Sequence, residues 1–444
     1  MHHARLGIAL AAITIVIPPI LRAATPPALT ASNAEPVFAE AKRLCSADHG
    51  QLWGVSLCGP MLLVDPATRR IITNRQSAQD DLLGINGLFE GRLPSNVSVA
   101  NTALDWDGTR WSMLLWPLPA DRTTRAVVLM HESWHRIQDR LGLPDASPTV
   151  AYLDKPDARI RMRLEWRALA AALRAGDPSS RNGAIVDALT FRTWRRQLGA
   201  DAANEEDALE RNEGLAEYTG RKLGAGKQAL SYMLIDLAEA EHGDSFVRSF
   251  AYHTGPAYGF LLDAIEPHWR TRLNAHSSLS ALLAQAIGWS PPADVAAVAR
   301  QEGARYGASR IVAEERARGQ RLRQKLARWK RGLVDRPVLV LPFVAMHIQF
   351  NPNTLMALPP YETVYPTLRV SDRWGVLDVQ HGALVDSNWS HVQVAIGTDF
   401  SATHPAGPGW TLELAPGWTL VPGKRKGDWI LHGPATDGSI TQPR

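Results

Sequence analysis

Cysteine is nearly absent from this chain of 444 residues, which has only Cys45 and Cys58. Two thiols exclude a disulfide-dense scaffold. They also exclude a cysteine-based zinc module, because neither has a second Cys or His at ligand spacing. What remains is one disulfide near the N-terminus or a pair of buried thiols. An excess of one charge is missing too: 48 Lys and Arg face 44 Asp and Glu, for a net charge of +4. With no basic stripe and no recognisable module, no nucleic-acid partner is expected. Long apolar runs are lacking with one exception, so nothing beyond the first residues reaches the length of a membrane span. A hydrophobic content of 45% and a charged content of 21% describe an ordinary globular chain, long enough for two domains.

The exception is Leu6 to Leu21, behind a weakly basic start at His2, His3 and Arg5. It is short for a spanning helix and contains Pro18-Pro19. Small residues follow at Ala23, Ala24, Ala31 and Ala34. Residues 1–34 therefore read as a cleaved signal peptide, with an uncleaved membrane anchor as the alternative. Export to the periplasm or the medium is expected, and there Cys45 and Cys58 would pair.

The remainder is α+β in pattern. A short helix is expected over Glu35–Leu44. Residues 59–119 are β-rich and predict a small, mainly antiparallel sheet. Their markers are Met61 to Val64, Ile71-Ile72, Val97-Ser98-Val99, and an Asp107-Gly108 hairpin turn between Trp106 and Trp111. Residues 124–334 are helical in period, with helices near 124–140, 157–175, 184–198, 203–222, 227–242, 256–273, 277–287, 293–305 and 309–332. A boundary near Asp335-Arg336-Pro337 opens a small all-β domain over 335–444. There Pro408-Gly409-Trp410-Thr411-Leu412 is echoed by Pro416-Gly417-Trp418-Thr419-Leu420, a spacing that suits two adjacent strands or turns. The arginine-rich stretch 310–331 has two readings, contact with an anionic cell envelope or a solvated helix.

The chemistry concentrates at His131-Glu132-Ser133-Trp134-His135, behind the apolar run Ala126 to Met130. Residues four apart share a helix face, so His131 and His135 can converge on one ion. Glu132 is offset around the helix, where a general base can take a proton from water. A catalytic zinc takes three protein ligands and keeps a fourth position open. No His follows within Arg136 to Asp145, which leaves a carboxylate from a later helix. The best source is Asn212-Glu213-Gly214-Leu215-Ala216-Glu217-Tyr218, whose two glutamates share a face. Read alone, with Glu205, Glu206 and Glu210 nearby, that face is equally a solvated charged surface.

His-Glu-x-x-His with a downstream Asn-Glu-x-x-x-Glu resembles the signature of the gluzincin metallopeptidases, the group of the thermolysin and aminopeptidase N families. The resemblance implies that His131, His135 and Glu213 hold Zn2+, that Glu132 is the base, and that Glu217 orients His131. It makes residues 35–334 a metallopeptidase domain and the substrate a protein or peptide. Tyr252-His253-Thr254-Gly255 is similar to the aminopeptidase segment whose Tyr donates to the developing oxyanion. Tyr252 is thus the first choice for that donor, with His253 and Tyr258 in reserve. No Gly-x-Met-Glu-Asn segment precedes the motif, so endopeptidase action is expected over aminopeptidase action. A rival reading is an exported binding or scaffold protein that keeps zinc as a structural staple, which would require a fourth protein ligand.

Overall fold

The computed structural model describes residues 27–78, 82–94, 97–351, 354–398 and 400–434. The apolar run expected to be a signal peptide lies outside the described residues. The fold is mixed: a sheet near the N-terminus, a helical middle and a strand-rich C-terminal region. No described helix is long and apolar enough to cross a membrane.

The chain folds into two compact units. Of the described residues, one comprises those within 27–146, 211–232 and 267–277, the other those within 147–210, 233–266 and 278–434.

The first unit opens with helix α1 (Ala31–Asp48), capped by a Thr30 side chain that accepts from the Asn33 amide. This helix begins before the expected Glu35. The earlier start has a physical cause: the Thr30 box satisfies the first amides and Ala31 and Ala34 pack inward. Two of the small residues considered for cleavage therefore lie within α1. Cys45, on its last turns, forms a disulfide with Cys58.

Among the described residues six strands follow: β1 (Met61–Val64), β2 (Arg70–Thr73), β3 (Leu83–Ile85), β4 (Leu88–Arg92), β5 (Thr102–Trp106) and β6 (Thr109–Leu115). They form one sheet in the order β3-β4-β2-β1-β6-β5. The pairing is antiparallel except between β1 and β6, which run parallel, so the sheet is mainly antiparallel, as expected. Strand β1, buried at every position, is central because all four residues are apolar. The β5–β6 turn has Asp107 and Gly108 both at positive φ, 52° and 67°, as the Asp-Gly pair demands. Val97-Ser98-Val99 is not a strand. Val97 closes a turn on Pro94, and both valines pack on the sheet's apolar face instead of pairing.

Helix α2 (Arg122–Ile137) comes next, its first turn capped by Asp121 accepting from the Thr124 amide at 2.7 Å. The chain returns to this unit at Arg211, within a run of helical turns that spans residues 210–225. They comprise a π-helical turn Glu210–Gly214, an α segment Leu215–Gly220 and a second π turn Arg221–Ala225.

In the second unit, helices Pro156–Arg174 and Pro178–Arg196 pack side by side. Helix Ala251–Ile265 starts earlier than expected. It carries Pro256 in its second turn, a residue that reads in sequence as a helix opener. Buried ions tie these helices together. Arg192 and Arg195 meet Glu165, Glu206 and Glu210, every one of them 2% exposed or less. The C-terminal strands form a seven-stranded and a five-stranded sheet that share one apolar core around Trp374 and Trp410. The echoed segments place Trp410–Leu414 in the smaller sheet and Thr419–Pro422 in the larger.

Candidate metal centre

Within the first unit α2 and the 215–225 segment come close because two glycines permit it. A Cβ on Gly220 would stand 2.6 Å from the Val127 carbonyl oxygen, and one on Gly224 would meet Ala126 backbone at 2.6 Å. Two glycines four apart lie on one helix face, and their missing side chains let one backbone rest on the other. An aromatic group braces the pair from the side. Trp53 packs against Trp134 of α2 and against Tyr218, and its indole N–H donates to Thr219 Oγ1 at 2.9 Å.

This approach brings the expected side chains together. Among the described residues, His131, His135 and Glu213 offer ligand atoms within 4.8 Å of one another. The two Nε2 atoms are 3.1 Å apart, and Glu213 Oε2 lies 3.5 Å from His131 Nε2 and 3.6 Å from His135 Nε2. Donors bound to one tetrahedral zinc at about 2.0–2.1 Å stand about 3.3 Å from each other. The three atoms are thus spaced so that they could hold one metal ion, and a two-imidazole, one-carboxylate set suits a divalent transition metal.

Glu217 Oε2 lies 3.0 Å from His131 Nδ1, and its other oxygen meets Arg221 at 2.8 Å. Burial works against the Glu217 carboxylate, but the His131 hydrogen bond and Arg221 outweigh it and hold its pKa below the usual range. An ionised carboxylate can only accept, so His131 carries its proton on Nδ1 and turns Nε2 toward the other two donors. Burial also opposes a charge on His131. Hydrogen bonding to Glu213 and Glu217 prevails and pushes its pKa up to about 10. Such a pocket favours a cation between its carboxylates, whether a proton or a metal ion.

Glu132 is buried, and its Oε2 has no hydrogen-bond partner. Its Oε1 lies 4.0 Å from His131 Nε2, too far to share a ligand position and near enough to serve a group held there. Burial, the largest influence, raises its pKa against the pull of the two histidines. A buried carboxylate oxygen without a hydrogen-bond partner among the described residues is costly in a purely structural helix.

Two polar residues of this centre were missed in the sequence. Arg221 stands four residues after Glu217, and Gln138 three after His135, with Oε1 3.0 Å from His135 Nδ1. Helical spacing carried both signals. Tyr252 and His253 lie in the first turn of helix Ala251–Ile265 in the second unit, where His253 packs edge-on against Trp166. Tyr258 is fully buried and donates to Glu165 at 2.9 Å, which commits its hydroxyl to the ion network.

No family model matches this chain, and no curated protein or solved structure matches it either.

Proposed function

We propose that this chain is an exported metallopeptidase of gluzincin type, in which His131, His135 and Glu213 hold Zn2+. The observation that carries the reading is the spacing of 3.1, 3.5 and 3.6 Å among their three ligand atoms, with the unpartnered Glu132 Oε2 beside them. An ion bound there supplies Lewis acidity toward a carbonyl and toward water.

The chain's own residues supply the rest. Burial that raises the Glu132 pKa suits it to take a proton from water at Oε2 and to return it to a leaving amine. Glu217 and Arg221 keep the His131 ring turned to one tautomer. The leading apolar segment together with the Cys45–Cys58 disulfide supports export.

A structural zinc staple would fill its fourth position with protein, whereas among the described residues the group offers three ligand residues. That favours the peptidase over the scaffold. Metal analysis of the purified chain, joined to proteolysis assays of wild type and Glu132→Gln on casein-like substrates, tests the proposal. Zinc in both proteins with cleavage by wild type alone is expected. Zinc in both with cleavage by neither sinks the enzyme reading.

A further inference from the structure

We infer that Gln138 is the positioning residue of the second metal ligand, fixing the His135 tautomer and linking that ring to the segment that carries Glu213. The inference rests on the metal-binding reading given above.

Gln138 follows the last residue of α2 and is 2% exposed. Its backbone is pinned, because its carbonyl accepts from the amides of Leu141 and Leu143 at 3.1 and 3.2 Å. Its side chain has three neighbours. Nε2 lies 2.9 Å from the Pro144 carbonyl oxygen and 3.0 Å from Asn212 Oδ1, while Oε1 lies 3.0 Å from His135 Nδ1.

The Pro144 carbonyl can only accept, so the amide nitrogen must face it. The amide oxygen then faces His135 and can only accept, so His135 Nδ1 must be the donor. With its proton on Nδ1, the ring has its Nε2 lone pair free, and Nε2 is the atom beside His131 Nε2 and Glu213 Oε2. One carbonyl of the chain after α2 thus sets, through one amide, which nitrogen of His135 can ligate. The reversed amide would place NH2 against N–H and oxygen against two acceptors.

The second amide hydrogen reaches Asn212, the neighbour of Glu213. Gln138 therefore joins the two stretches of chain that supply the ligands. A carboxylate could not replace it, since the Pro144 carbonyl can only accept and needs a donor. The two imidazoles are consequently oriented by different means, His131 by an anion and His135 by a neutral amide. Loss of such an orienting partner typically costs 10–100-fold in metal affinity.

Two measurements test this on the full-length protein. Histidine-selective 15N spectra of the metal-free wild type at pH 8 should show His135 with its proton on Nδ1. Competition between the protein and a zinc chelator should show 10–100-fold weaker binding by Gln138→Met, a variant of similar volume, and by Gln138→Glu. Cobalt substituted into either variant should give an altered visible spectrum, which loss of packing alone would not produce. A His135 proton on Nε2 in wild type overturns the inference. So does wild-type affinity with an unchanged cobalt spectrum in Gln138→Met. If that variant does not fold, the nitrogen spectrum of wild type decides alone. A wild type that takes up no zinc overturns the metal reading instead, and the tautomer assignment is still judged by the same spectrum.

Discussion

Gly220 rests against the carbonyl of Val127 so closely that a methyl group there would stand 2.6 Å from the oxygen. The nearest atom at that contact is a backbone oxygen and not a side-chain tip, so the two backbones must separate to admit it. Gly220→Ala should cost about 1–3 kcal/mol of stability, as overpacking does. It should also weaken zinc binding, because the displaced segment carries Glu213 and Glu217. Chemical denaturation and chelator competition check the two effects. A variant of wild-type stability and affinity would show that the contact is not tight.

Glu132→Gln keeps the size of the side chain and removes its ability to hold a proton. Zinc content should stay at the wild-type level while the peptidase rate falls by about 10²–10⁴. Steady-state assays beside elemental analysis read both. A fall in zinc content equal to the fall in rate would make Glu132 a ligand instead.

The proton on His131 gives a pH signature. Hydrogen bonds that His131 donates to Glu213 and Glu217 overcome burial and lift its pKa to about 10. A folded-state pKa above the unfolded value means this group stabilises the metal-free fold fully below about 6.5, and that this is lost as pH rises through about 10. Metal uptake must displace the same proton. Zinc affinity should therefore keep rising, about tenfold per pH unit, between pH 7 and 9. An ordinary histidine would level off just above pH 6.5. Affinities measured across that window decide it, and a plateau from pH 7 would count against the geometry.

The Cys45–Cys58 bond closes a loop with a sequence separation of 13, and that loop holds Trp53 against Trp134 and Thr219. Replacing both cysteines by serine should lower stability by about 3 kcal/mol. Denaturation under oxidising and reducing conditions separates the bond from the substitution: reduction should weaken wild type and leave the double variant unmoved.

Arg195 is wholly buried between Glu165 and Glu206. Burial disfavours both carboxylates, yet the neighbouring arginines hold both pKa values below the usual range. Stability from these two is present above about pH 4.5 and is lost as pH falls through the depressed values. Arg195→Met takes one arginine from each of two buried anions, leaving Glu165 with Arg192 and Glu206 with Arg196, and should cost about 3 kcal/mol, with acid unfolding moved to higher pH. An unchanged acid midpoint would show that the cluster tolerates the loss.

How much of this could be read from the residues depended on the range of each signal. The i, i+4 pairs His131–His135 and Glu213–Glu217 are local, and helical period alone puts each on one face. Gln138 and Arg221 obey the same spacing but passed as ordinary polar residues, because what they touch becomes known only with the ring orientations. The π turn that carries Glu213 was not legible, since one extra residue in a turn leaves the composition unchanged. Val97 and Val99 have the residue types of a strand, but packing against a sheet face suited them better than pairing. The parallel pairing of β1 with β6 likewise depends on partners distant in sequence, which alternation cannot name.

The proposed ligands sit far apart along the chain. Between His135 and Glu213 runs a stretch of roughly 80 residues, most of it belonging to the other compact unit. An ion shared by the two ends would close that stretch into a ring, as a covalent cross-link does, and would restrict the unfolded chain as well as stabilise the folded one. A chelator would then act as a ring-opening reagent for a large part of this protein.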